Sequence, residues 1–360
     1  MAGGRLRGVD LARAVAVLGM VMIHIGRFER RLEGAETAYD LPYGRAFVLF
    51  VLLAGVGISL LAGDRSPVRL QRAIPSLLLR VGVLFLLGVW LQGLDTGVAV
   101  ILHYYALYFL AAVLLLPLPD RWLLGLALVM AVVGPALHLA GQVAWPDAFA
   151  QGRRIDLTDS AVVARDLVLT GYYPVVTAVV PLILGMWIGR QDLRAERVRR
   201  ELAAGGALVA AAAYLTAWGL RSVFGLPPID DAGWLTLLDS QGHSEMPFSV
   251  IGATAIGCAV LGACLFLADR LPRLTWPLAA VGRMALTVYI GHLLVLHVKP
   301  DWLIGDTLTD ALVSVARFLV VTALLAVMWF AVLPRGPLET LLHLPWWRPG
   351  HGRRATPGGA

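Results

Sequence analysis

Charge is scarce in this chain, and lysine scarcer still. Of 360 residues only 15% are charged and 58% are hydrophobic, and the mean hydropathy is +0.75. A soluble domain carries about 25% charged residues, so a water-facing globule is excluded. Among 30 cationic side chains Lys299 is the only lysine. The two cysteines, Cys258 and Cys264, lie six apart in one apolar run and do not face each other, which argues against a disulfide or a thiolate metal pair. No glycine-rich phosphate signature and no fixed-period repeat occurs. The amino end has the basic start and apolar core of a signal peptide, but Asp10 and Arg13 interrupt the core and no small-residue cleavage site follows, so the segment is expected to be retained.

What is present is a series of apolar runs of bilayer length. Ten are expected to span, at roughly 9–28, 43–63, 73–94, 97–117, 121–143, 167–189, 203–222, 248–268, 276–298 and 310–334. The fold class is therefore all-α, a polytopic membrane helical bundle of about ten transmembrane helices. A formal charge of +6 and a pI near 9.7 would suggest nucleic acid in a soluble chain. Here the arginines gather in alternate short loops, as the positive-inside rule requires, and nucleic acid is discounted. Arg5 and Arg7, Arg65 to Arg72, Arg121, Arg190 to Arg200, Arg270 and Arg273, and Arg335 onward share one side, which is the cytoplasm. Both termini are expected there. Arg27, Arg30 and Arg31 weaken the asymmetry in the first outer loop; the longer loops around Trp145–Asp166 and Phe224–Pro247 are more acidic. Residues 1–345 form the membrane domain, and 346–360, rich in proline and glycine, read as a disordered cytoplasmic tail.

The first span carries more than an anchor needs. Asp10, Arg13 and His24 interrupt it, and at 100° per residue Arg13 and His24 fall on nearly one face, roughly 16 Å apart along the axis. A polar stripe in lipid is costly unless it faces the bundle interior or a wet cavity, so this stripe is expected to wall an internal site, with Asp10 a candidate partner of Arg13. The topology also gathers histidines outward: His24, His103, His138, His292 and His297 lie in outer halves of spans and His243 in an outer loop, against His343 and His351 inside. Imidazole moves protons near neutral pH, which makes His24 the candidate general base and His103 and His292 its rivals. For any single histidine, a structural role is the more ordinary assignment.

Metal chemistry is disfavoured by spacing: His292 and His297 are five apart, about 140° round a helix, and no carboxylate or cysteine cluster joins them. Gly185 and Gly189 form a GxxxG pair, expected to pack two membrane helices closely. On the cytoplasmic side Arg69 and Arg72 stand one turn apart before the third span, an ordinary topology signal that also offers bidentate contacts to phosphates. Arg80 and Arg283 add charge at similar or greater depth. An anionic phosphate-bearing donor, such as a coenzyme A thioester, suits that mouth.

At these residues the chain resembles a transmembrane acyltransferase superfamily. Arg13, ten residues and His24 resemble the Arg-x10-His signature of the membrane acyltransferase-3 family, and Arg69-Leu-Gln-Arg72 with Ile74-Pro75 resembles its RxxR element, while 47–55 is similar to its second span. Gly282 to His292, Arg335-Gly-Pro-Leu-Glu339, Gly171-Tyr-Tyr-Pro174 before Gly189-Arg190, and His243-Ser244 before Pro247-Phe248 are similar to bacterial relatives of heparan-α-glucosaminide N-acetyltransferase. The resemblance implies transfer of an acyl group, usually acetyl, from cytoplasmic acyl-CoA to a hydroxyl or amine on the outer side, in a cell-envelope glycan or lipid-linked sugar. It implies a plasma-membrane enzyme with acetyl-CoA as donor, no metal, and the lipid bilayer as its setting; self-association as a homo-oligomer stays open. Carried over by residue, His24 is catalytic, Arg13 its partner, and Arg69 and Arg72 the donor pair. In the heparan enzyme the catalytic histidine lies in the loop after the first span; here Arg27–Pro42 holds none, which favours His24 and leaves both direct transfer and an acyl-enzyme open. A small-molecule or lipid transporter or flippase is the alternative reading, since it too has glycine-rich spans and buried charge.

Overall fold

In lipid a backbone has no partner but itself, so the apolar runs must close their own hydrogen bonds. The computed structural model describes residues 5–25, 38–64, 66–150, 155–225, 232–305 and 307–342; among them there are helices and no strand. The helices that matter here are α1 Arg7–Ile25, α2 Arg45–Ala62, α3 Pro67–Gln92, α4 Leu102–Leu115, α5 Asp120–Ala144, α6 Ser160–Thr170, α7 Val175–Ile188, α8 Glu196–Phe224, α9 Pro247–Arg270, α10 Pro272–Arg283, α11 Ala285–Val298 and α12 Leu308–Val332. Seven are long and apolar enough to cross a membrane alone, and the pairs α6–α7 and α10–α11 would each do so as one bent span. With the shorter α4 these account for all ten expected runs. The expected arginines Arg27, Arg30, Arg31 and Arg65, the histidines His343 and His351, and the tail from 346 lie outside the described residues.

Three of the ten depart from the straight rods expected. The run 97–117 yields a helix of only 14 residues, about 21 Å against a hydrocarbon layer of about 30 Å. Asp95 at φ 50° and Gly97 at φ 67° break the chain before it, and the following residues Val98 to Ile101 are buried without forming part of a helix. The pair α6–α7 bends by 56° and α10–α11 by 70°. Pro174 at the end of the first break has no N–H for a helix ladder, and a π-type turn at Asp166–Thr170 precedes it. The second break, at Met284, has another cause: Glu339 reaches back from the chain's end to accept from the Leu286 and Thr287 N–H groups (2.9 and 3.1 Å) and from the Thr287 hydroxyl (2.7 Å). The first turn of α11 is thereby capped by a carboxylate.

Helices α1, α2 and α9 form the centre, with α3, α5, α8 and α12 around them. The outer helices expose leucines and valines such as Leu86, Leu114, Leu128, Leu208 and Val332, an apolar surface that water would not tolerate and lipid does. At the centre α2 and α7 touch backbone to backbone. A Cβ on Gly189 would lie 2.7 Å from the Val56 carbonyl oxygen, and one on Gly185 or Gly55 would run into the Leu52 or Leu182 carbonyl, which is the close packing expected of the GxxxG pair.

The loops meet in two separate sets. Arg190 donates to the Leu118 carbonyl and pairs with Asp120 (both 2.8 Å), Arg199 pairs with Asp269 (2.6 Å), and Arg283 donates to the Pro334 carbonyl (3.0 Å). At the other end Tyr39 donates to the Met22 carbonyl (2.6 Å), Gln92 bonds Ile155 through both backbone groups (2.8 and 3.1 Å), and Arg221 donates to Ser240 (3.0 Å). These are the two sets of loops that alternate along the chain.

Candidate functional site

The polar stripe of α1 does face inward. Asp10 is buried, and its carboxylate accepts from Arg5 (2.9 Å) and Arg13 (3.2 Å), so the expected Asp10–Arg13 pair is present, with Arg5 as a further donor. The chain approaches closely here as well: a Cβ on Gly282 would run into the Asp10 carbonyl, so only glycine lets α10 pack on α1. The Arg13 guanidinium lies over Gly57 of α2, where a Cβ would be 2.9 Å away. It is within electrostatic reach of Arg80 on α3 and Tyr105 on α4. The Arg80 Nε and the Tyr105 hydroxyl are buried and make no hydrogen bond among the described residues. Two guanidiniums near each other, with a buried Arg80 Nε and Tyr105 hydroxyl that bond no described residue, are chemistry that an anion would satisfy.

Near its carboxyl end, α1 meets α11. His24 Nδ1 lies 2.9 Å from His292 Nε2, and the rings stack with centroids 5.1 Å apart and planes 13° from parallel. Such a contact needs one hydrogen between the two nitrogens, so one ring donates and the other accepts; two imidazolium rings could not make it. His292 is fully buried, while His24 is half-buried. The edge of Tyr289 meets His292 at 5.1 Å, and its hydroxyl accepts from the Ile101 N–H (3.2 Å). The buried stretch before α4 is thus tied to the histidine pair. Tyr105 stands within electrostatic reach of Tyr289. From Asp10 and Arg13 through Tyr105 and Tyr289 to His292 and His24, polar groups follow one another along the inside of the bundle.

His103 is placed differently. It is buried at the start of α4, where Gly88 of α3 packs against it; its ring meets Tyr104 at 4.7 Å, and its Nε2 makes no hydrogen bond among the described residues. His138 binds the Leu169 carbonyl (2.9 Å), and His297 is exposed. Arg69 and Arg72 are exposed at the start of α3; Arg69 folds over Gly63 and lies 3.4 Å from Asp64. The Ser66 backbone and hydroxyl, followed by Arg69, hold the Asp64 carboxyl below its ordinary range. Arg283 stacks on Phe330 at 3.7 Å. Among the described residues no group of three or more His, Cys, Asp or Glu converges as metal ligands would.

A second cluster lies in the loop before α9. His243 is surrounded by Tyr43 (4.8 Å), Tyr172 (4.8 Å), Tyr173 (5.4 Å) and Phe47 (5.8 Å), and its Nδ1 stands 4.0 Å from Glu245. Glu245 is buried and accepts from the Thr177 hydroxyl. Burial pushes its carboxyl up to about 7, against the lowering by Thr177. His243 and Glu245 both adopt left-handed backbone, at φ 61° and 60°. Sequence reasoning marked His243 and the Gly171–Pro174 motif but missed Glu245 and Tyr43; a carboxylate two residues from a loop histidine was the one available signal.

A helical multi-pass membrane protein with a paired histidine between its first and penultimate crossings is the class that fold and site define. Residues 5–224, more than half of the chain, match the family described as heparan-alpha-glucosaminide N-acetyltransferase, catalytic, and the chain belongs to that family. Residues 193–348 match a second family, described as protein of unknown function (DUF418). No curated protein matches the chain.

Proposed function

We propose that the protein is a membrane acetyltransferase that takes the acyl group from cytoplasmic acetyl-CoA and delivers it to a hydroxyl or amine of an outer-face acceptor in a cell-envelope glycan or lipid-linked sugar. The observation that carries this reading is the 2.9 Å His24–His292 contact in a chain of an acetyltransferase family. With His24 Nδ1–H donating to His292 Nε2, the His24 tautomer is fixed and its Nε2 is the basic atom. That nitrogen takes the proton of the acceptor as its oxygen or nitrogen attacks the thioester carbonyl. The new bond forms as carbon–sulfur breaks, and the proton passes on to the departing CoA thiolate. His292 acts as a positioning residue, the place a carboxylate fills in other histidine pairs. Arg13 and Arg80 hold anionic parts of the donor along the inner passage, and Arg69 and Arg72 meet its phosphates at the mouth.

Replacing His24 with Ala is expected to lower acetyl transfer by roughly 10²–10⁴-fold with acetyl-CoA binding and thermal stability nearly kept. A variant that turned over at the parent's rate would reject His24 as the base. A transporter is the second reading, favoured by the two broken helices, since such breaks line substrate sites in transporters. It predicts solute flux into vesicles without acetyl-CoA, and parent-level flux in the His24→Ala variant.

A further inference from the structure

The motif Arg335-Gly-Pro-Leu-Glu339 takes no part in that mechanism, yet it is bonded to the helix that carries His292. Helix α11 starts at a 70° break, and Met284 at its cap position makes no side-chain bond to the first N–H groups. Unmet, such groups weaken a helix start. Glu339 meets them from far along the chain: Oε1 accepts from both the Leu286 and Thr287 N–H groups, and Oε2 from the Thr287 hydroxyl. That hydroxyl accepts in turn from the Leu338 N–H (3.1 Å), so the two segments bond each other in both directions.

The segment that carries Glu339 is itself held. Arg283 donates to the Pro334 carbonyl (3.0 Å), Trp329 Nε1 to the Arg335 carbonyl (2.6 Å), and Leu338 and Leu342 pack against the main core. A Cβ on Gly336 would run into the Glu339 carboxylate, so glycine is what lets the chain turn there. Five positions separate Thr287 from His292, about 7.5 Å along the axis, so a tilt of about 10° at the break would carry His292 by about 1.3 Å. A contact of 2.9 Å between His24 and His292 would not keep hydrogen-bond geometry through such a shift. Farther along α11 the Tyr289 hydroxyl accepts from the Ile101 N–H, which ties the helix sideways but leaves its start to Glu339.

We infer that Glu339 is a positioning residue: it fixes the direction in which α11 leaves the break and thereby holds His292 Nε2 against His24 Nδ1. Its part in catalysis rests on the acyl-transfer reading; its hold on the histidine pair does not. Glu339 and His292 both lie in residues 193–348, matched to the family of unknown function, and His24 in residues 5–224. Holding the partner of the base is then one service of the second part to the first.

The test uses the full chain in lipid nanodiscs, with two readouts. In protein made with isotopically labelled histidine, the hydrogen shared by His24 and His292 gives an imidazole NMR signal, identified by its loss in His292→Leu. That signal is expected in the parent, lost in Glu339→Ala and kept in Glu339→Gln, whose amide oxygen still accepts from both N–H groups. In the transfer assay Glu339→Ala should lower kcat roughly tenfold or more, with the acetyl-CoA KM unchanged and Glu339→Gln recovering most of the loss. In a His292→Leu background the same change should cost nothing further, because it acts through that residue. Thr287→Val removes only the hydroxyl's bonds and carries the test if Glu339→Ala lowers the folded yield; it should weaken the signal and lower kcat in the same direction. A parent without the shared-hydrogen signal, a signal unchanged in the variants, equal losses in the Ala and Gln variants, or a loss that multiplies with that of His292→Leu would overturn the inference. Loss of the signal in Glu339→Ala, in a protein without acetyl transfer, would sink the transferase reading and leave this one standing. Acetyl transfer at the parent's rate in Glu339→Ala would do the reverse.

Discussion

The two histidine sites differ in what the partner can do with a proton. His292 gives His24 a neutral nitrogen inside the bundle, whereas Glu245 gives His243 a carboxylate 4.0 Å away in a loop. An imidazole partner can fix a tautomer without adding a charge in a medium where charge is costly. A carboxylate can hold a cation or accept from hydroxyls, as Glu245 does from Thr177. Both sites are also composite. His24, Tyr43 and Tyr172 lie in the part matched to the acetyltransferase family, and His292, His243 and Glu245 in the part matched to the family of unknown function. Neither part alone holds either site.

The comparison breaks most readily at His292. His292→Leu removes the acceptor of the His24 Nδ1 hydrogen and should cost roughly 10–100-fold in transfer rate, the scale of losing a residue that orients a functional histidine. His292→Gln, whose side-chain oxygen can accept that hydrogen, should recover most of it. The discriminating readout is kcat against KM: a positioning role lowers kcat and leaves the acetyl-CoA KM nearly unchanged. Equal activity in the Leu and Gln variants would reduce the pair to packing.

Glu245 provides the next effect, on stability. Its folded carboxyl titrates at about 7 where the ordinary value is 4.5, so between those limits the folded protein holds a proton that the unfolded chain has released. Stability is then fully present below pH 4.5, falls as pH rises through that window, and levels off above about 7. The loss is on the order of 3 kcal/mol. Glu245→Gln cannot ionise, so its thermal unfolding followed from about pH 4.5 to about 8 should lack this slope and exceed the parent's stability at the alkaline end. A slope that survives in the variant belongs to His243 or another group.

How much of this was legible follows from range. The ten apolar runs could be read because lipid imposes length and apolarity on each segment separately. The stripe on α1 could be read because Asp10, Arg13 and His24 share one helix, where spacing alone sets the face. The bend at Met284 could not: no proline or glycine marks that residue, and the capping carboxylate of Glu339 comes from more than fifty residues away in the chain. The pairing of His24 with His292 had the same difficulty, for each residue was a candidate and nothing local joins the first span to the ninth. Glu245 was missed for a different reason. Its burial and its left-handed backbone at φ 60° are properties of the folded loop, and in the sequence it looks like any solvated glutamate.

The smallest effect is expected at the start of α3, where the proposed function places the mouth of the donor passage. Arg69 and Arg72 are exposed, and Arg69 already spends part of its charge on Asp64 at 3.4 Å. Exposed ion pairs contribute about 0.2–1 kcal/mol each, so replacing both with Gln should raise the acetyl-CoA dissociation constant by roughly 2- to 30-fold, with kcat unchanged at saturating donor. Because such contacts are screened over about 10 Å at about 0.1 M salt, the gap between variant and parent should narrow as salt rises. A gap that stayed constant in salt would mean that the two arginines shape the start of α3 rather than attract the donor, and the inner pair Arg13 and Arg80 would then hold its phosphates alone.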